Sequence, residues 1–146
     1  MTEPDPRDPA YLEYMLEAIA RIQRYVGRKR RAGFLGDPLL QDAVIRNIEI
    51  IGEAASRLSA AFSAKHTEVP WREIVGMRHR LIHGYLKVNI DSVWAVVERD
   101  LPELAPRLRA LLEARSEPAI SNRPMAKSRT MPTRVNRGRV SKKRRR

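Results

Sequence analysis

The sequence predicts an all-α fold: an antiparallel bundle of about four main helices followed by a disordered basic C-terminal tail. Apolar residues recur at spacings of three and four through each long segment, and no segment alternates with period two. Aromatics make up 5% of the chain and glycine 7 of its 146 residues, too few for a β-sandwich or a base-stacking sheet. That length fits one domain.

Asp8 before Pro9 reads as an N-cap followed by a helix-starting proline. Leu12, Met15, Leu16, Ile19, Ile22 and Val26 then form one apolar stripe. The segment RKRRAGFLGD ends this helix and is expected as a basic loop. Asp37-Pro38 repeats the start signal, and Leu40, Val44, Ile48, Ile51, Ala55, Leu58 and Phe62 carry a second long stripe. Gly52, Ala54 and Ala55 on that helix would let a neighbour approach closely. Pro70 opens a third, shorter helix anchored by Trp71, Ile74, Val75 and Leu81, with Gly84 placed to end it. Asn89 or Asp91 caps a fourth, bearing Val93, Trp94, Val97, Leu101, Leu104, Leu108 and Leu111. Pro102 and Pro106 fall inside that pattern, which predicts a kink or break after Asp100.

The net charge of +12 is unevenly divided. Residues 1–120 hold 18 Lys+Arg against 17 Asp+Glu, whereas residues 121–146 hold 11 Lys+Arg and no acid. This predicts a disordered N-terminus over 1–7, a helical bundle over 8–115 and a disordered tail over 116–146, because the tail offers too little apolar surface to offset chain entropy. Arg137, Arg139, Lys142, Lys143, Arg144, Arg145 and Arg146 are the candidate nucleic-acid contacts in that tail, acting through counterion release. A merely solvated tail is the plain alternative. Cysteine is absent and histidine is limited to His66, His79 and His83, so no metal cluster and no cofactor are expected. The acidic, proline-rich start has no secretory pattern, and no apolar run approaches the ~18 residues of a membrane span, so a cytoplasmic protein is expected.

Chemistry concentrates in MRHRLIHGY, which holds Arg78, His79, Arg80, His83 and Tyr85. A histidine transfers protons near neutrality, and an arginine holds a phosphate with a planar fork of donors. Together they suit metal-free cleavage of RNA, with His83 moving the proton and Arg78 stabilising the charge that builds on phosphorus. The plain alternative is a helix-end histidine facing the helix dipole on a solvated basic face. Five residues separate Arg78 from His83, which sets them roughly 140° apart around a regular helix. Either the helix loosens at His83-Gly84, or a symmetric dimer completes the site with two copies of the motif.

Three ordered blocks, DAVIRNIEIIGEAASRLS, VPWREIVGMRHRLIHGYLKV and DSVWAVVERDLPEL, resemble the HepT-like proteins of the HEPN superfamily, over roughly residues 8–112. Arg78, His83 and Tyr85 match that family's Arg-x4-His-x-Tyr pattern. The resemblance implies a HEPN-like helical fold and a homodimeric, metal-independent endoribonuclease acting on RNA as the toxin of a type VII toxin–antitoxin pair. It also implies an MntA-like nucleotidyltransferase antitoxin as partner, which transfers AMP to the motif tyrosine, here Tyr85. The family commonly has asparagine after the motif arginine, where this chain has His79. The basic tail is outside the family pattern.

Arg46, Asn47, Glu53 and His79 are candidate supports of this site. Glu53 could pair with Arg78 or orient His83; alternatively Glu49 and Glu53 form a solvated edge with a Glu53–Arg57 pair. His66 is expected to be exposed, and Trp71 and Trp94 to be core. The competing function is a non-catalytic dimeric scaffold or nucleic-acid-binding module, which has no need of Arg78, His83 and Tyr85 together.

Overall fold

The computed structural model describes residues 3–84 and 87–116, and over these it is all-α. The helices are α1 (Asp8–Val26), α2 (Arg31–Leu35), α3 (Pro38–Arg57), α4 (Ala60–Lys65), α5 (Trp71–His83), α6 (Ile90–Ala95) and α7 (Leu101–Ser116). A π-helical segment, Val96–Asp100, joins α6 to α7. No described helix is long and apolar enough to cross a membrane.

The core forms where the predicted stripes meet. Leu12, Met15, Ile19 and Ile22 of α1 and Val44, Ile48 and Ile51 of α3 are all at most 2% exposed. Each such burial is worth about 1.5–3 kcal/mol relative to exposure, so the α1–α3 seam is a main source of stability. Two polar ties fix its direction. Asp8, at the start of α1, bonds to Ser59 just past α3, while Arg21 Nε near the end of α1 donates to Asn47 Oδ1 in mid-α3 (2.8 Å). Contacts that run backwards along the chain define an antiparallel pair. α5 also packs on α3, and α7 packs against α1.

Local chemistry explains the boundaries. Asp37 caps α3, its carboxylate accepting from Leu40 N–H (3.1 Å), with Pro38 beginning the helix. The hydrogen bond from Lys29, and then that from Leu40, holds the Asp37 carboxyl below the usual carboxylate range. Asn89 caps α6 by accepting from Ser92 N–H (3.2 Å). Asp8 departs from the expected capping role: the N-cap position belongs to Arg7, and Asp8 sits inside the first turn. Its carboxylate is fully buried and accepts from Ser59 N–H (2.8 Å), Ser59 Oγ–H (2.7 Å) and Asp5 N–H (2.9 Å).

The expected basic loop contains the one-turn helix α2, which sends Phe34 into the core against Trp94, ring centroids 5.2 Å apart. Arg31 of α2 also pairs with Asp91 of α6. The second stripe does not continue as a single helix to Phe62. Leu58 turns extended (ψ 141°), and Ser59 caps a new helix by accepting from Phe62 N–H. His66 is only partly exposed, its ring 4.5 Å from that of Phe62 and its Nδ1 3.4 Å from Glu68. Trp71 and Trp94 are buried, as expected. The break predicted after Asp100 takes the form of the π turn, in which Leu101 N–H bonds five residues back to Val96 O. Pro102 follows directly on that turn, and Pro106 lies inside α7.

Candidate functional site

The motif helix α5 lies on α3 at a contact only glycine permits. A Cβ on Gly52 would stand 2.3 Å from Arg78 Cβ and 3.2 Å from its Cγ and Cδ. The small-residue surface of α3 thus lets the root of Arg78 rest directly on its backbone. From there the guanidinium reaches Glu53, its Nη2 donating to Oε2 at 2.7 Å. Arg57 Nε occupies the other carboxylate oxygen at 3.0 Å. Glu53 therefore pairs with Arg78 and with Arg57 at once, one carboxylate bridging two guanidinium groups.

That arrangement has a chemical consequence. Two cations against one anion leave the cluster with one net positive charge, and an arginine has five N–H donors. Arg78 is thereby oriented while keeping donors for a phosphate oxygen. The cluster borders a groove of about 450 Å³, whose other walls include Tyr11 and Tyr14 of α1 and Ile82 of α5. The two tyrosine rings meet edge to face, centroids 6.4 Å apart. Sequence reasoning missed these tyrosines; the available signal was their i,i+3 spacing along the flank of the α1 stripe.

His83 lies elsewhere on α5. The helix stays regular to its end, closed by Gly84 N–H to Arg80 O at 2.8 Å, so it does not loosen at His83 to bring the motif together. His83 is exposed and lies against His79, ring centroids 4.3 Å apart and planes tilted by 59°. No hydrogen bond or ion pair among the described residues joins Arg78 to His83. Glu53 supports the arginine and not the histidine, while His79 neighbours the histidine. Arg46 lines the same groove as Arg78 and makes a long 3.6 Å pair with Glu49 there. Asn47 is buried and committed to the α1–α3 seam, donating to Ala43 O (2.9 Å) and accepting from Arg21. Tyr85 and the tail candidates Arg137, Arg139, Lys142, Lys143, Arg144, Arg145 and Arg146 lie outside the described residues.

Fold and site together define an all-helical protein that presents an oriented arginine and an exposed histidine from one helix. The family model for "Ribonuclease HepT-like" proteins matches residues 15–111, from mid-α1 into α7 and including both α3 and α5. The chain belongs to the HepT-like ribonuclease family. It is 39% identical over 103 residues to a protein of Caldanaerobacter subterraneus subsp. tengcongensis named "Putative RNase", covering 70% of this chain and 92% of that one. It is 41% identical over 101 residues to "Probable ribonuclease HepT" of Thermococcus cleftensis, covering 69% and 92% respectively. It also matches "Gamma-glutamylcyclotransferase and putative RNase" of Methanocaldococcus jannaschii at 41% over 103 residues, which is 70% of this chain but 46% of that longer protein. No solved structure gives a significant match.

Proposed function

We propose that this protein is a metal-independent endoribonuclease, active as a homodimer, and the toxin of a type VII toxin–antitoxin pair. The observation that carries the reading is the division of labour on α5. Arg78 is anchored by Glu53 beside a groove, while His83 stands exposed around the same helix. One chain leaves these groups apart, and a second copy facing the first supplies the missing half. RNA then lies with its phosphate on the free donors of Arg78. His83 takes the proton from the 2′-hydroxyl as its oxygen attacks phosphorus, and the partner's equivalent histidine protonates the departing 5′-oxygen. Bond making, bond breaking and proton transfer balance without redox change.

Regulation would run through Tyr85. Its phenolic oxygen attacks the α-phosphorus of ATP on an MntA-like nucleotidyltransferase, and pyrophosphate leaves. The attached phosphodiester sits two residues from His83, where it competes with RNA by charge and bulk. The family membership and the match of Arg78, His83 and Tyr85 to the motif support this reading.

His83→Ala and Arg78→Ala should each lower RNA cleavage by about 10²–10⁴-fold with helicity retained, and wild-type cleavage should survive EDTA. Undiminished cleavage by His83→Ala overturns the nuclease assignment. Incubation with the cognate nucleotidyltransferase and ATP should add about 329 Da per AMP to the wild type and none to Tyr85→Phe. The same mass gain in Tyr85→Phe overturns the modification site.

A further inference from the structure

Two of the chain's three histidines stand together at the end of α5, and the site described above uses only one of them. His79 and His83 are four residues apart, on one helix face, both exposed, with ring centroids 4.3 Å apart. Two imidazoles at i and i+4 form the spacing that holds a transition-metal ion on a helix. With metal–nitrogen bonds of about 2.0–2.1 Å, a tetrahedral ion places two imidazole centroids about 5 Å apart. Small side-chain rotations of two exposed rings close the difference from the observed separation, with no backbone change. The last turn of a helix also presents unpaired carbonyls and the negative end of the dipole, which favour a cation. Arg78, the cation of the motif, is directed to α3 and paired with Glu53.

We propose that His79 and His83 form a two-imidazole chelate for a divalent transition-metal ion, Zn²⁺ being the probe of choice, and that its occupancy switches the ribonuclease off. The metal takes the imidazole lone pair that would accept a proton, so His83 cannot be ligand and base at once. The inhibitory half of this inference rests on the proposed role of His83; the binding half does not. Among the described residues of one chain no three histidine or acidic side chains converge on one point, so a chain contributes two ligands and leaves the remaining positions to solvent or to the second copy. Joining both imidazoles on one helix face makes the second ligation intramolecular, at an effective concentration in the millimolar range. His79 is thus the residue that converts a lone exposed histidine into a chelate. Asparagine at that position removes it.

The test is calorimetric titration of the full chain with ZnCl₂, together with RNA cleavage measured with and without zinc. Wild type and His66→Ala should bind zinc alike, while His79→Asn and His79→Gln should bind it about tenfold or more weakly. Zinc should raise the Tm of the wild type by more than that of the His79 variants, since an ion that binds only the folded helix stabilises it in proportion to its occupancy. The ratio of cleavage rates with and without zinc should fall in the wild type and stay near one in His79→Asn at the same zinc concentration. Equal zinc affinity in wild type and both His79 variants overturns the chelate. Zinc bound through His79 but with an unchanged cleavage rate keeps the site and overturns the switch. Zinc bound through His79 in a chain that cleaves no RNA at all supports the site and counts against the ribonuclease reading instead.

Discussion

Replacing Gly52 by alanine should destabilise the protein, whereas the same change at Gly76, one helix away, should stabilise it. A Cβ on Gly52 would lie 2.3 Å from Arg78 Cβ, against the roughly 3.5–4.0 Å at which carbon atoms ordinarily touch. The shortfall is therefore about 1.2 Å. Neither Cβ can rotate away, because each is bonded to its own helix backbone, so α3 and α5 must separate. Overpacking of this kind typically costs about 1–3 kcal/mol. Alanine returns about 1 kcal/mol of helix propensity, leaving Gly52→Ala about 0–2 kcal/mol less stable than wild type. At Gly76 the added Cβ would meet only the mobile Nη1 of Arg80, at 4.0 Å, so the propensity gain of about 1 kcal/mol stands alone. The two variants should differ by about 1–3 kcal/mol in urea denaturation and move Tm apart by several degrees. Displacing Arg78 by about 1 Å should also cost up to about 10²-fold in RNA cleavage. Equal stabilisation of both variants, with cleavage unchanged at Gly52→Ala, would refute the close-contact argument.

Asp8→Ala should cost about 3 kcal/mol in urea denaturation, since it strips a buried acceptor from three donors. Trp71→Phe should be more destabilising than Trp94→Phe by about 1 kcal/mol, because Trp71 Nε1 donates to His66 O at 2.9 Å while Trp94 Nε1 is buried with no partner among the described residues. Thermal denaturation of both variants decides this. Truncation after residue 120 should keep the helical circular-dichroism signal but flatten the salt dependence of RNA binding, as 11 of the 12 net charges leave with the tail. An unchanged slope would show that the tail is not the electrostatic element.

The long helices α1, α3 and α5 were legible because each is amphipathic over several turns and has a proline at its start, as at Asp37-Pro38. Short elements escaped. α2 spans five residues, too few to display a period, and it exists because Phe34 has a core position against Trp94. The end of α3 was hidden because Leu58 and Phe62 continue the stripe on paper. What breaks the helix is the bonding of Ser59 to Asp8, 51 residues away, which no local pattern reveals. The same holds for the site. Gly52 stood out as a point of close approach and Glu53 as a partner for Arg78, since small size and charge are written in the residue type. Asn47 looked equally polar and proved to serve the α1–α3 seam through Arg21. Which way a side chain faces depends on helix packing, and only three-dimensional contact separates Glu53 from Asn47.

The π turn at Val96–Asp100 bears on how chain length varies at this point. A bond reaching five residues back encloses one residue more than an α-helical bond, so the segment carries a surplus residue within an otherwise continuous rod. Glu98, Arg99 and Asp100 are exposed, so the surplus is carried on the solvent side, while Val96 and Leu101 stay in the core. A homologue one residue shorter here would close the ladder into ordinary α-helix and keep both flanking helices. This turn is thus a place inside a helix where the chain could lose one residue without disturbing the core on either side.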